Sequence, residues 1–357
     1  MKILYGVQAT GNGHIARSRT LAKALQRFPE LEIQWLFSGR PKEKLFDMEL
    51  FGDYWWRRGL TFVHREGKLR GLETIQKLGF LRFRKEVSEL PIDEFDLIIS
   101  DYEPVTAWAA KIRKKPSVGI GHQYAFLYSI PIPKFNWVVH SILRFFAPTQ
   151  KSLGLHWHHF GNPILPPIVP PQKGPDKDTQ DHILVYLPFE HPAPMLEELS
   201  KVDEQFIVYG VPENLPTAAN IIIKAPSTIG FQRDLANSRA VICNSGFELL
   251  AETLALGKPI LSRPLASQFE QVANAKALKQ LGLAKIVQRI DAKTVGKWLN
   301  NLPQPLCIQW PNVAETIANW IASGCKQPPS ELADALWRKV VPRPTDNRPH
   351  IYQGAPE

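Results

Sequence analysis

The sequence predicts an α/β protein built from two doubly wound, Rossmann-like domains that face a cleft. Short apolar segments alternate with segments of helical periodicity along most of the chain, a pattern typical of parallel sheets covered by helices on both faces. A proline-rich segment, residues 161–181, interrupts this alternation near the middle. The length of 357 residues also fits two domains better than one core.

The first predicted domain spans residues 1–160, and the proline-rich linker follows it. Its strands are expected where buried apolar residues are bounded by turn residues, at 2–7, 32–37, 60–63 and 95–100. Its helices are expected between them, at 41–49, 71–89 and 104–114. The ligand of such a domain binds at the carboxyl ends of the strands.

The second predicted domain spans residues 182–325, and a proline-rich tail, residues 326–357, ends the chain. Strands are expected at 182–187, 205–209, 220–223, 240–243, 259–262 and 284–288. Helices are expected at 193–201, 230–237, 247–256, 269–281, 291–300 and 311–323, and one of the last two is free to pack back across the cleft. The tail is expected to be extended or disordered apart from a short helix at 331–339.

The net positive charge of the chain comes from its N-terminal half. Residues 1–160 hold 24 Lys and Arg against 15 acidic residues, whereas residues 161–357 hold 19 of each. This asymmetry points to an anionic partner for the first domain: an acidic substrate, a nucleic acid or an anionic membrane surface. A basic surface without a partner explains it equally well.

Composition and termini favour a cytoplasmic protein. Hydrophobic residues make up 44% of the chain, and no run approaches the ~18 apolar residues of a membrane span. The N-terminus runs directly into a strand pattern without a signal-peptide cleavage site. Three widely spaced cysteines give no metal-binding CxxC motif and fit a reducing compartment.

The strand predicted at 240–243 ends in a turn of small residues before a helix. Asn244, Ser245 and Gly246 form the turn, and the first turns of the helix carry Glu248 and Glu252. Free backbone N–H groups at a helix N-terminus bind phosphate groups, and a glutamate one or two turns later can accept ribose hydroxyls. A capping or solvated role for Glu248 is the alternative.

This turn and the segment after it resemble a known family. The residues Asn244-Ser-Gly-Phe and Glu252 are followed by Gly257-Lys-Pro-Ile, Gln268-Phe-Glu-Gln271, Asn274-Ala and Leu281-Gly282. The run resembles the donor domain of glycosyltransferases with the two-Rossmann (GT-B) fold. It is similar in particular to relatives of the peptidoglycan N-acetylglucosaminyltransferase, the monogalactosyldiacylglycerol synthases and the UDP-glycosyltransferases. The resemblance implies a nucleotide-sugar site of Asn244, Ser245, Gly246, Glu248, Glu252, Gln268, Glu270 and Gln271, with Ser245-Gly246 on the diphosphate, Glu252 on the ribose and Glu270-Gln271 on the sugar.

The loop after the first strand reads Gly11-Asn12-Gly13-His14, with Arg17 one turn later. As a dinucleotide fingerprint it lacks its acidic partner, because Phe37-Ser-Gly-Arg40 stands where the second strand ends. It resembles instead the Gly-x-Gly-His loop of the same glycosyltransferases, which implies a phosphate and acceptor loop. His14 is the candidate base, since an imidazole removes a hydroxyl proton near neutral pH; helix capping is the alternative.

Three further residues are expected at the same edge of the first sheet. Asp101 follows the strand 95–100, and the resemblance implies that it orients His14, with a helix N-cap as the alternative. His122 and Gln123 follow another strand and are candidate acceptor contacts. The segment Tyr186–His191 differs from the phosphate loop that the family has at this position. Glu190 is the only residue of the segment that we keep as a candidate site residue.

No metal site and no resident cofactor are predicted. His156, His158 and His159 lack an accompanying carboxylate and are assigned to a rim strand. Asp176-Lys-Asp178 resembles a metal motif but lies in the linker. The nucleotide sugar is the only small molecule expected besides the acceptor.

Aromatic residues interleaved with cations recur in the first domain, at 54–59, 80–85 and 135–146. Such stretches can lie in an anionic membrane interface and would suit a lipid-linked or cell-envelope acceptor. Core aromatic residues beside a solvated basic face are the alternative, and nucleic-acid binding has the least support.

The sequence therefore predicts transfer of a sugar to a hydroxyl acceptor by metal-independent direct displacement, and the resemblance implies that the donor is UDP-linked. A nucleotide-sugar 2-epimerase and a non-catalytic nucleotide-sugar binder stay open as alternatives.

Overall fold

The computed structural model describes residues 1–60, 64–65, 68–69, 79–132, 137–172, 174, 182–304 and 306–343. Among these residues, two six-stranded parallel sheets dominate, each covered by helices. The architecture predicted from the alternation of strands and helices, a pair of doubly wound domains, is confirmed.

The first sheet is formed by residues of the N-terminal half. Its part of the chain contains β1 (Lys2–Gln8), α1 (Asn12–Leu25), β2 (Glu32–Ser38), β3 (Trp55–Arg57), the antiparallel pair of β4 (His64–Arg65) and β5 (Lys68–Leu69), α2 (Phe80–Ser88), β6 (Leu97–Asp101), α3 (Pro104–Ile112), β7 (Ser117–Gly121), α4 (Trp137–Phe146) and β8 (Lys151–Gly154). The strand order is β3-β2-β1-β6-β7-β8, all parallel. The chain reverses its direction of sheet growth between β1 and β6, and ligands of doubly wound folds bind at this point.

The second sheet repeats the arrangement. Its part contains β9 (His182–Tyr186), α5 (Pro192–Ser200), β10 (Gln205–Tyr209), β11 (Ile221–Lys224), α6 (Thr228–Asn237), β12 (Ser238–Asn244), α7 (Phe247–Ala255), β13 (Ile260–Arg263), α8 (Phe269–Gln280), β14 (Lys285–Ile286), α9 (Ala292–Leu299), β15 (Cys307–Gln309), α10 (Val313–Ala322), α11 (Pro329–Trp337) and β16 (Val341–Arg343). The order β11-β10-β9-β12-β13-β14 puts the second reversal between β9 and β12.

Two predicted elements are wrong in place or type, and a third is confirmed only over its described residues. The third strand of the first sheet is β3, at residues 55–57, and not residues 60–63, of which 61–63 lie outside the described residues. The helix predicted at 41–49 is replaced by two short 3₁₀ turns, Lys42–Lys44 and Glu49–Phe51. Of the helix predicted at 71–89, residues 80–88 form α2, and 71–78 lie outside the described residues.

The C-terminal segment packs back onto the first domain. Helix α10 lies against α1, where Arg27 pairs with Glu315 at 2.6 Å. Trp337, in α11, donates its indole N–H to the carbonyl of Ile164 at 2.5 Å. Residues 341–343, expected in an extended or disordered tail, pair antiparallel with 307–309. The predicted domain boundaries themselves stay predictions.

None of the helices in the described ranges is long and apolar enough to cross a membrane.

Candidate functional site

A cavity of about 520 Å³ lies between the carboxyl edges of the two sheets. Both points at which the sheets reverse direction open into it, since loops after β1, β9 and β12 contribute to its walls. Most of the predicted site residues line it, namely Gly11, Asn12, Gly13, His14, Gln123, Asn244, Gly246, Glu248, Glu252, Gln268, Glu270 and Gln271. The cavity lining, as far as the chain is described, does not include Arg17, Asp101, His122 or Ser245. These four residues are almost fully buried and lie one layer beneath the cavity surface.

His14 and Asp101 are in direct contact at the first reversal point. His14 lies in the first turn of α1, and Asp101 ends β6, the strand beside β1. The Nδ1 atom of His14 is 2.7 Å from Oδ1 of the fully buried Asp101 carboxylate. With the proton assigned to Nδ1, Nε2 carries the lone pair, and the amide nitrogen of Gln123 lies 3.3 Å from it.

Arg17 lies beneath this pair and holds the same carboxylate. Its Nε donates to Oδ2 of Asp101 at 3.0 Å, and its terminal nitrogen donates to Oδ1 at 2.5 Å. Burial by itself raises the pKa of Asp101, but the charges of Arg17 and His14 outweigh it and hold the pKa below its ordinary value. Arg17 also forms an ion pair with Glu248, from the second domain.

Gln123 connects His14 to the opposite wall of the cavity. Its side-chain amide nitrogen lies 3.3 Å from Nε2 of His14 and donates to Oε2 of Glu270 at 2.9 Å. Gln123 belongs to a short 3₁₀ helix, His122–Leu127, that follows β7. The candidate base and a candidate sugar-binding residue therefore share one amide.

His122 fastens the two domains together below the cavity. Its Nδ1 lies 2.8 Å from the carbonyl of Leu155, and its Nε2 lies 2.7 Å from Oδ1 of Asn274. Its ring stacks on Phe247, with centroids 3.9 Å apart. Burial lowers the pKa of His122. Asn274 in turn donates to the carbonyl of Ser245, which ties this contact to the start of α7.

Two helix N-termini open into the cavity from opposite domains. Helix α1 begins after Gly11, and α7 begins after Gly246. Within the described part of the chain, no side chain caps either start, and an added Cβ on either glycine would meet no atom within 4 Å. Both ends therefore present free N–H groups and partial positive charge to the same space.

The loop after β9 carries an acidic group that is already paired. Oε1 of Glu190 accepts a hydrogen bond from Asn244 at 3.2 Å, and its other oxygen pairs with Arg263. Asn244 also donates to the carbonyl of Arg263 at 3.0 Å. This network closes the second reversal point where the related family carries a phosphate loop.

Glu252 lies on the second domain's wall in an almost fully buried position. Burial raises the pKa of its carboxyl from 4.5 to about 7, although Gln232 donates to it at 2.5 Å. Gln232 and the aromatic rings of Tyr186, Tyr209 and Phe231 also line the cavity, and sequence reasoning missed them. The sequence marks these residues only by their position at the end of a strand or on a helix. Many other residues share such positions, so the position alone does not indicate a site.

The remaining predicted donor residues lie at the start of α8. Gln268 is the N-cap residue of this helix and lines the cavity. Gln271 also lines the cavity, while its side-chain oxygen accepts a hydrogen bond from the backbone N–H of Leu265 at 3.0 Å.

The assignment of the histidine-rich segment to a rim strand is wrong. His156 is 1% exposed, and residues 156–159 form no strand, because the chain turns here and Phe160 donates its N–H to His158. Across the described residues, no three His, Cys, Asp or Glu side chains form a group that could hold a metal ion. Asp176 and Asp178 lie outside the described residues.

The aromatic and basic stretches divide between core and surface. Phe83 is buried, whereas Phe80 and Leu81 are 69% and 83% exposed. On α4, Ile142 lines the cavity and is 43% exposed, and Phe145 beside it is half exposed. Residues 133–136 lie outside the described residues.

Several solved structures of glycosyltransferases share this architecture. SnogD from Streptomyces nogalater superposes with a TM-score of 0.55 at 17% identity, covering 94% of this chain and 98% of that one. Acinetobacter baumannii MurG gives 0.51 at 16% identity, with 94% and 99% covered. SsfS6 from Streptomyces sp. SF2575, solved with thymidine diphosphate, gives 0.57 at 14% identity, with 95% and 99% covered. The fold is that of the GT-B glycosyltransferases.

The sequence itself supplies the family. Residues 1–303 match the profile of glycosyl transferase family 1, and the chain belongs to that family. No curated protein sequence matches the chain. The predicted fold class, the resemblance to GT-B enzymes and the expectation of a glycosyltransferase are confirmed.

Proposed function

We propose that this glycosyltransferase takes its sugar from a nucleoside diphosphate sugar bound in the cavity between the two domains. The observation that carries the proposal is the pair of uncapped helix N-termini, after Gly11 and Gly246, that open into one space. A diphosphate placed there would receive free backbone N–H donors from both sides. SsfS6, which shares the fold, was solved with a nucleoside diphosphate.

The nucleoside belongs on the second domain's wall. Glu252 lines this wall and is proposed to accept the ribose hydroxyls. The rings of Tyr209 and Phe231, with centroids 5.0 Å apart, offer an apolar surface for the base. We assign the base to the uridine class on the resemblance of residues 244–282 to UDP-sugar enzymes. Glu270 and Gln271, next to Gln268, are assigned to the sugar hydroxyls on the same ground.

His14 is proposed as the general base. Its Nε2 takes the proton of the acceptor hydroxyl as the oxygen attacks the anomeric carbon, while Asp101 stabilises the imidazolium that forms. The bond from the anomeric carbon to the diphosphate breaks, and the electron pair leaves with the diphosphate. The helix N-termini stabilise the negative charge of this leaving group, so the scheme is a direct displacement that requires no metal ion.

The acceptor is proposed to be a hydroxyl on a lipid-linked molecule. The cavity wall formed by α4 is apolar, with Ile142, Leu143 and Phe146, and it continues to the exposed ring of Phe145. Lys111 lies over that ring, 5.4 Å from its centroid. Apolar side chains beside cations suit the interface of an anionic membrane, which would make the enzyme a peripheral protein on the cytoplasmic face.

Thermal unfolding with nucleotide ligands tests the donor assignment. UDP or a UDP-sugar at a hundredfold excess over its dissociation constant is expected to stabilise the protein by roughly 2.7 kcal/mol. A raised unfolding temperature with uridine but not with adenosine diphosphates supports the proposal. If no nucleoside diphosphate or nucleotide sugar raises it, the proposal fails. Neither the 2-epimerase nor the non-catalytic binder finds support in the family or in the related structures.

A further inference from the structure

Arg17 is a buried cation beside the candidate base that contacts two acidic residues. It is 2% exposed, and its guanidinium contacts both oxygens of Asp101 as well as Glu248. The described residues that line the cavity do not include it. To contact a diphosphate, Arg17 would have to leave Asp101, which would strand a buried carboxylate without its countercharge.

The contact with Asp101 fixes the orientation of that carboxylate. A planar guanidinium that donates to both oxygens at once sets the plane of the carboxylate, which a single-point donor does not do. In this plane Oδ1 faces Nδ1 of His14 at 2.7 Å. The ring of His14 is thereby held with Nε2 towards Gln123.

The contact with Glu248 reaches across the cleft. Glu248 lies in the first turn of α7, directly after the turn proposed to hold the diphosphate. Its carboxylate packs against Gly13, next to His14, because an added Cβ on Gly13 would come within 2.4 Å of Oε2. The guanidinium of Arg17 thus connects Asp101, the partner of the candidate base, to α7 of the second domain.

We infer that Arg17 is a positioning residue for the transfer reaction, which holds the His14–Asp101 pair in a fixed position relative to α7. Arg17 does not bind the donor phosphate. This inference rests on the proposed role of His14. A displacement of about 1 Å between the reacting groups can cost roughly a hundredfold in rate, so a residue that never touches substrate can control turnover.

Two substitutions separate the charge of Arg17 from its fork geometry. Arg17→Lys keeps the positive charge and loses the two-point contact, whereas Arg17→Gln loses both. Steady-state kinetics are measured against the donor. We expect turnover to fall by roughly tenfold to a hundredfold in both variants, with the donor KM within about threefold of the wild type.

The split between turnover and the donor KM separates positioning from a merely structural role. The charged groups around His14 are Arg17 and Asp101 in direct contact, Glu248 behind Arg17, and Glu270 beyond the shared amide. Arg17 does not line the cavity, so its replacement should alter the orientation of Asp101 towards His14 and leave the donor contacts in place. A positioning role therefore predicts lower turnover at a nearly constant donor KM, whereas a merely structural loss would also weaken donor binding.

A second measurement does not depend on activity. The ring resonances of His14, assigned by comparison with His14→Ala, are recorded by NMR at one pH in the wild type and both variants. We expect them to shift in both variants, because the contacts that orient Asp101 against the ring change. Binding of a nucleoside diphosphate shows that the cleft of each variant is formed. Should Arg17→Gln not fold, Arg17→Lys still tests the loss of turnover at constant donor KM.

Two outcomes would overturn the inference. One is a tenfold or larger rise in the donor KM with unchanged turnover, which would make Arg17 a phosphate ligand. The other is a folded Arg17→Gln protein whose turnover and His14 ring resonances match the wild type. If the wild-type protein transfers no sugar from any nucleotide donor, the proposed function fails instead, and the His14 resonances still decide whether Arg17 holds the base in place.

Discussion

The imidazole of His14 and the carboxylate of Asp101 meet at 2.7 Å although 87 residues separate them in the chain. The contact arises because β1 and β6 are neighbours at the point where the first sheet reverses direction, so the loop after one strand lies over the end of the other. Asp101 is fully buried, whereas His14 faces the cavity. The candidate base is therefore oriented before any substrate arrives.

Replacing the candidate base should abolish most turnover without removing donor binding. His14→Ala leaves the helix N-termini and Glu252 intact, so the nucleoside diphosphate should bind within about threefold of the wild type. Loss of general-base catalysis typically costs 10²- to 10⁴-fold in rate, roughly the fall expected here. His191→Ala removes an exposed histidine near the cavity and serves as the control, with unchanged rate expected. A His14→Ala enzyme of near wild-type turnover would exclude His14 as the base.

Glu252→Gln should stabilise the free protein and weaken nucleotide binding. Burial raises the pKa of Glu252 from 4.5 to about 7, so its contribution to stability is full below pH 4.5 and is lost as the pH rises to about 7. A shift of this size corresponds to about 3 kcal/mol, and a neutral amide avoids part of that penalty. At pH 8 the unfolding temperature should rise by roughly 2–4 °C for each kcal/mol recovered.

The affinity for a nucleoside diphosphate should fall in Glu252→Gln, although the stability of the free protein rises. The wild-type protein should lose affinity for a nucleoside diphosphate as the pH falls below about 7, because a protonated Glu252 accepts fewer ribose hydrogen bonds. Calorimetric titration of wild type and Glu252→Gln from pH 6 to 8 measures this. Glu197→Gln, at a 71% exposed side chain on α5, is the matched control for both measurements. Equal affinity of Glu252→Gln and wild type at pH 8 would remove Glu252 from the site.

Gly13→Ala should destabilise the protein, and Gly11→Ala should do so far less. A Cβ on Gly13 would lie 2.4 Å from Oε2 of Glu248, whereas a Cβ on Gly11 would meet no atom within 4 Å. Alanine gains up to about 1 kcal/mol in a helix. The Glu248 carboxylate must move away from Arg17 to make room for the methyl group, and the loss of this ion pair should outweigh the gain. Thermal unfolding compares the two variants, and a Gly13→Ala protein as stable as Gly11→Ala would contradict the contact across the cleft.

The apolar face of α4 should control access to a lipid-linked acceptor. The double variant Ile142→Gln/Phe145→Gln removes two side chains that are 43% and 50% exposed. Its binding to vesicles of anionic phospholipid, measured by co-sedimentation, should fall by about tenfold or more, given ~1.5–3 kcal/mol for each fully buried side chain of this size. Nucleoside diphosphate binding should not change.

Ile222→Gln provides the control for that comparison. Ile222 is 50% exposed on β11 of the other domain, so it matches the exposure of Phe145 without lying near α4. Equal vesicle binding by the double variant, Ile222→Gln and the wild type would rule out a membrane-associated acceptor face on α4.

Local patterns carried most of the fold prediction. Strands such as β6 and β12 are apolar on both faces, as parallel strands between two helix layers must be, and this pattern is visible without a structure. The prediction failed where the signal was weak. Residues 41–49 are rich in polar side chains but form two 3₁₀ turns, and the short β3 holds its place by pairing with β2.

The candidate site divides in the same way. Strand ends and glycine turns marked Gly13, His14 and Gly246 from the sequence, because a doubly wound sheet puts its ligand there whatever the rest of the chain does. Sequence spacing could not show that Arg17 turns inward to Asp101 and Glu248, or that Gln232 reaches Glu252.

The sequence by itself determined the class of fold, the two edges that form the cleft and the residues offered at each edge. These follow from periodicity and turn chemistry, which act over a few residues. Only the tertiary structure decided which of those residues face the cavity and which lie beneath it. His14 faces the cavity, and Asp101 lies beneath it. That choice depends on packing between segments far apart in the chain, where burial forces each charged group to find a partner.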